Sequence, residues 1–236
     1  MAKIIGLSRN LKLQWLNKTV ELVSTGLTEQ EIKENLNEYL GFEIKSPTNI
    51  RKTREILMNI WVYENEKSNK IKASALKMIR LYPEYSLVVH WCMIMATYPV
   101  FLDMCRLISK ISEFQDEIVL SQLKQKLFEE WGERTTLYHS IDKLISTFKA
   151  FDVVTCNKPG KYIVKMHKIN NSEIVSFMIY TSFIVKDENG YYSLEEIKNS
   201  TYYFPFEYMI DKAVLFEDKR FSANNFGGEI TFSLNS

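Results

Sequence analysis

The residues of this chain best equipped for chemistry are cations and hydroxyls, and their spacing fits a phosphate backbone better than a reacting centre. Ser46, Thr48, Asn49, Arg51, Lys52 and Arg54 gather where a helix is expected to begin. The unpaired backbone N–H groups of a helix's first turn favour an anion there as well. A second group, Arg134, Thr135, Tyr138, His139 and Lys143, with Asp142 among them, falls at the start and along the polar side of another expected helix. That mixture suits base edges and phosphates in a major groove. Lys158 and Lys161 bracket Pro159-Gly160, with Lys165 nearby, and would add phosphate contacts from a hairpin. Each group also has a plainer reading. A solvated helix face with an ordinary cap accounts for the first, and Asp142, Glu129, Glu130 and Glu133 dilute the positive charge around the second.

Other chemistries find little purchase. The three histidines, His90, His139 and His167, stand apart, no Cys or His spacing suits zinc, and no glycine-rich loop is present to hold a nucleotide. His90 lies in an apolar helix and reads as a satisfied core residue. The pairs Glu129-Glu130 and Glu195-Glu196 read as solvated surface. The expectation is a non-enzymatic protein with no cofactor and no metal.

The elements that must position these groups are mostly helical. Eight glycines and five prolines in 236 residues are too few for a sandwich of many short strands. Residues 11–24 carry a helical apolar stripe ended near Gly26. Thr28 and Glu31 form a capping box for a helix over 29–40 that Gly41 should end. Ser46 caps a third helix with Pro47 at its first position, running through Trp61. Ser68 or Asn69 opens a fourth, stopped at Tyr82-Pro83. The fifth, residues 84–97, is apolar on almost every face and belongs at the centre of a bundle. A sixth starts after Tyr98-Pro99. From residue 115 the pattern shifts: a short apolar run at 117–120, a helix capped by Ser121 and ended by Gly132, and a longer helix opened by Arg134 with a seam at Leu137, Ile141, Leu144, Ile145 and Phe148. Two β-prone runs, 153–156 and 162–166, follow, joined by Asn157-Lys158-Pro159-Gly160. Helix, turn, helix, hairpin is the order of a winged helix.

The fold class expected is therefore mainly α. A helical bundle with a helix-turn-helix-like segment spans 1–112, and a winged-helix-like module spans 113–168. An aromatic, acidic α+β region over 169–236 packs on the rest. Within that last region, 173–185 reads as helix or strand, 191–197 as a strand or short helix, and 229–234 as a terminal strand. Charge is graded along the chain, +5 over residues 1–80, +1 over 81–170 and −5 over 171–236, so an anionic partner is drawn to the first third. Three cysteines, Cys92, Cys105 and Cys156, form no paired spacing, which points to a reducing compartment. Residues 1–10 lack the features of a signal peptide, and the most apolar run, 87–96, is about half of the ~20 residues a spanning helix needs. A cytoplasmic protein with no membrane partner is expected.

Several of these segments together resemble one family. Ser46-Pro47-Thr48 with Arg51 and Arg54, His90-Trp91 followed by Tyr98-Pro99-Val100-Phe101 and Asp103, the Trp131-Gly132-Glu133-Arg134 turn and Phe204-Pro205-Phe206 resemble the BrxA family of bacteriophage exclusion (BREX) defence clusters. The likeness spans most of residues 10–210, and none of its motifs is a catalytic fingerprint. It implies a bacterial cytoplasmic DNA-binding protein that works beside a methyltransferase, an ATPase and a phosphatase-like protein. That family has been likened in fold to the RNA binder NusB, which keeps RNA as a rival to double-stranded DNA. A further rival is an adaptor that docks Tyr202 to Phe206 onto another protein of the same defence system.

Overall fold

The computed structural model describes residues 5–186, 189–226 and 228–235. Among them the chain is mainly helical, with eleven α-helices and three small sheets. Helix α1 (Leu13–Ser24) buries Trp15, Leu16 and Val20. The capping box of Thr28 and Glu31 starts α2 (Glu29–Gly41) as expected. Gly41, however, does not end it in a left-handed conformation. The helix leaves through Phe42 at φ −65°, because the N–H groups of Glu43 and Ile44 still donate to the Leu40 carbonyl. Ser46 caps α3 (Pro47–Trp61) by accepting from the Asn49 N–H. Helix α4 (Glu66–Leu81) begins earlier than Ser68. Asn65 is its cap, accepting from the N–H groups of Lys67 and Ser68, and Ser68 itself is buried.

Helix α5 (Ser86–Thr97) has every residue from Val88 to Ala96 buried, the outcome its all-round apolar pattern predicts. Pro99 then begins α6 (Pro99–Ser112), and the segments on either side of Tyr98 meet at a bend of 116°. Pro99 offers no N–H to continue the first helix, so the break falls there. No single helix among the described residues is long and apolar enough to cross a membrane. His90 sits in the middle of α5, fully buried, with Nε2 2.8 Å from the Asn17 Oδ1 and its ring edge-on to Trp61. Its burial is as expected, but only one nitrogen is satisfied, since Nδ1 has no partner among the described residues. Burial lowers its pKa to about 3.

Beyond α6 come β1 (Ile118–Val119), α7 (Leu120–Trp131), α8 (Thr135–Ala150) and the hairpin β2 (Val154–Lys158) and β3 (Lys161–Val164). Ser121 does not cap α7. Val119 occupies that position without a side-chain bond, and the Leu120 N–H donates instead to the Gly160 carbonyl at 2.8 Å, so the hairpin tip satisfies the helix start. The acidic third contains α9 (Ser172–Lys186), short helices α10 (Leu194–Lys198) and α11 (Lys212–Glu217), and four strands, preceded by β4 (His167–Ile169). Strand β4 pairs in parallel with β6 (Phe206–Tyr208), and β5 (Tyr192–Ser193), β8 (Glu229–Leu234) and β7 (Phe221–Phe226) form an antiparallel sheet in that order.

All three stretches of chain meet on one indole. Trp91 of α5 stacks on Phe148 of α8 at 5.2 Å, and its edges meet Phe101 of α6, Phe204 and Phe206 at 4.8, 5.4 and 5.3 Å. Ring pairs of this kind are worth about 0.5–1.5 kcal/mol each beyond the area they bury. They also correct the adaptor surface: Tyr203, Phe204 and Phe206 are buried in the chain's own core and are not displayed for a partner.

Candidate nucleic-acid interface

Helix α8 is presented by its neighbours on three sides. Gly132, at φ 77°, turns the chain sharply out of α7, and Arg134 stands at the α8 N-cap, its guanidinium bonded to the Trp131 carbonyl. The expected seam, Leu137, Ile141, Leu144, Ile145 and Phe148, is buried, joined by Ser140 and Thr147. The opposite side leaves Thr135, Thr136, Tyr138 and His139 exposed, with Asp142 and Lys143 half-buried. The hairpin forms a three-stranded antiparallel sheet in the order β1, β3, β2, with Ile118 opposite Tyr162 and Val119 opposite Lys161. Gly160 makes its turn at φ 76°.

The charges around α8 differ from the sequence reading in two respects. Asp142 does not dilute the field as supposed, because the nearly buried Lys124 of α7 lies 2.7 Å from its carboxylate. The same ammonium sits 3.4 Å from the centre of the Tyr138 ring, which also stacks on Phe128. Tyr138 is thus turned toward α7, where it lines an 860 Å³ cavity with Phe128 and Pro159. On the hairpin, Lys161 is not free: it pairs with Glu117 at 2.9 Å and holds that carboxyl below its usual range. Lys165 pairs with Asp152. Lys158 remains exposed at the tip and makes no ion pair among the described residues.

The α3 cluster divides in the same way. Thr48, Arg51 and Lys52 are exposed. Arg54, one turn on, points inward, its side chain 16% exposed, where it holds Glu55 and the Asn37 side chain of α2. Asn49 is also engaged: its Oδ1 accepts from Arg9 Nε at 3.2 Å and Nη2 at 2.8 Å. Arg54 and Asn49 are therefore fixtures of the bundle and not free contacts, because a guanidinium lying between two helices is better paired than solvated.

Arg9, which sequence reading passed over, joins the two clusters. It belongs to an irregular N-terminal segment pinned by buried Leu7 and Leu11, and the Leu11 backbone N–H donates to Thr147 Oγ1 of α8 at 2.9 Å. Gly6 lies at φ +70° against Tyr98, where a Cβ would come within 2.5 Å of the ring. The segment crosses from α3 to α8, so Arg9 bonds Asn49 on one side and lines a 470 Å³ cavity with Thr136, His139 and Lys143 on the other. Arg51, Lys52, Arg9, His139 and Lys143 are brought to elements that this one segment connects. Among the described residues no group of three or more His, Cys, Asp or Glu side chains could hold a metal ion. Comparison with protein-family models, with curated proteins and with solved structures gave no match.

Proposed function

We propose that this protein is a non-enzymatic, cytoplasmic, double-stranded DNA-binding protein, a BrxA-like component of a bacterial phage-defence system that acts beside other proteins of that system. In this reading β1, α7, α8 and the hairpin are a winged-helix module. Helix α8 enters the major groove, Lys158 reaches the backbone from the wing, and the first turn of α3 grips the flanking phosphates. The observation that carries the reading is the bridge made by Arg9. It ties the α3 cluster to α8 through one side chain, and in this reading the two cationic groups serve one ligand. Asp142 is paired with Lys124 and Glu130 with Arg106, which leaves Glu129 and Glu133 of the four acidic side chains to weigh against a polyanion there. Shape and phosphate contacts would supply most of the affinity, with modest sequence preference.

The test is fluorescence anisotropy of a labelled duplex titrated at several salt concentrations, with RNA as competitor. Binding is expected to weaken steeply with salt and to resist RNA. The double substitution Arg51→Gln with Lys52→Gln is expected to reduce the log–log salt slope by about 2, one for each lost phosphate contact. No binding at low salt overturns the reading, and displacement by RNA at equal concentration replaces DNA with RNA as the ligand.

A further inference from the structure

We infer that the 470 Å³ cavity between the N-terminal segment and α8 is a built seat for one phosphate group, which the duplex backbone supplies if the DNA-binding reading, on which this inference rests, is right. Ile5 and Gly6 line it beside Ser8, Arg9, Thr136, His139, Ser140 and Lys143, and no carboxylate is among the described residues around it. Two cationic side chains and several hydroxyls around one space, without a negative charge among them, suit the oxygens of a phosphate.

Three other part-buried arginines, Arg54, Arg106 and Arg220, each stand against a carboxylate. Arg9, part-buried as they are, has no such partner among the described residues. Its partners are the amide oxygen of Asn49 and the backbone carbonyl of Ser8, which orient the guanidinium and leave its charge uncancelled. Of the five N–H donors of an arginine, these bonds use one on each nitrogen, so one N–H on each Nη is left to donate. Lys143 likewise makes no ion pair among the described residues, and it stands one turn beyond His139 on the same side of α8.

The seat is also preorganised. Leu7 and Leu11 anchor the segment on either side of Arg9, and Gly6 is wedged against Tyr98. A ligand would not have to order the chain in order to bind, which removes much of the usual entropic cost.

Two titrations separate this inference from the DNA reading. In the first, the full chain is titrated with inorganic phosphate against chloride at constant ionic strength, and the His139 ring and Arg9 Nε–H resonances are followed by NMR. Saturable shifts are expected in the wild type and are expected to vanish in Lys143→Gln, a surface change whose folding is checked by the melting curve. Arg9→Gln should also abolish them; should it loosen the segment, Lys143→Gln and His139→Gln carry the test. In the second titration, duplex DNA is bound at several salt concentrations, where Lys143→Gln is expected to lower the salt slope by about 1. Duplex binding with no saturable phosphate shift overturns the seat and leaves the DNA reading standing. Saturable phosphate binding without duplex binding upholds the seat and overturns DNA as its source, making a free phosphorylated small molecule the ligand.

Discussion

Mild acid should destabilise this protein through a single imidazole. An unfolded histidine titrates near 6.5, whereas burial holds His90 at about 3 in the folded chain. The folded pKa is the lower of the two, so between these values the unfolded state binds the extra proton. The contribution of a neutral His90 to stability is therefore complete above about pH 6.5 and is lost progressively as pH falls toward 3. At pH 5 the unfolded imidazole is almost fully protonated and the folded one almost fully neutral. The gap of one and a half units from 6.5 then corresponds to about 2 kcal/mol. The control is His90→Gln, whose amide can still donate to the Asn17 Oδ1 and cannot titrate. Urea denaturation followed by far-UV circular dichroism at pH 7 and pH 5 gives the comparison. The wild type should lose about 2 kcal/mol more than the variant across that window, because every other ionisable group is common to both. Equal losses in the two proteins, or a His90 ring resonance that titrates near pH 6.5 in the native state, would refute the reasoning.

Three further outcomes follow from contacts of named side chains. Arg54→Ala should cost about 1–3 kcal/mol in urea denaturation, since it strips Glu55 and Asn37 of a half-buried partner, whereas Arg51→Gln should leave the midpoint unchanged and weaken DNA binding. Arg220→Ala removes the guanidinium that, with Ser176, outweighs burial and holds the Asp218 carboxyl down at about 2. Because that folded pKa is depressed, its stabilisation is present above pH 4 and lost as pH falls toward 2, so acid titration of the variant by circular dichroism should show a shallower loss across that interval. Gly6→Ala forces a side chain into positive φ and against the Tyr98 ring. It should lower the melting temperature and reduce DNA affinity together, at a cost of about 1–3 kcal/mol, while the same substitution at Gly26, where nothing lies within 4 Å, should affect only stability.

The parts of the fold legible in the sequence were those decided by neighbours a few residues away. The capping box at Thr28, the Ser46-Pro47 start, the Pro99 break and the Gly160 turn are settled within one turn of chain, and each appears where local chemistry puts it. Features that depend on a distant partner were not. Nothing near Ser121 signals that the Gly160 carbonyl will cap the helix in its place. The parallel pairing of β4 with β6 joins residues far apart in sequence, and neither run is long enough to declare itself a strand. In the candidate site, Arg51 and Arg54 look alike as text. Three residues on a helix rotate one outward to solvent and the other inward onto α2. Arg9 carried no local signal at all, because its role comes from Asn49, 40 residues onward.

The ring cluster around Trp91 makes distant parts of the chain energetically interdependent. Phe148 and Phe204 touch each other at 5.3 Å as well as the indole, so a change in one alters the packing that the other feels. Substitutions at the two should be markedly non-additive in stability. For the same reason a fragment ending at residue 112 or 168 would turn one or more faces of that indole to water, so the acidic last third completes the core on which the cationic elements are mounted.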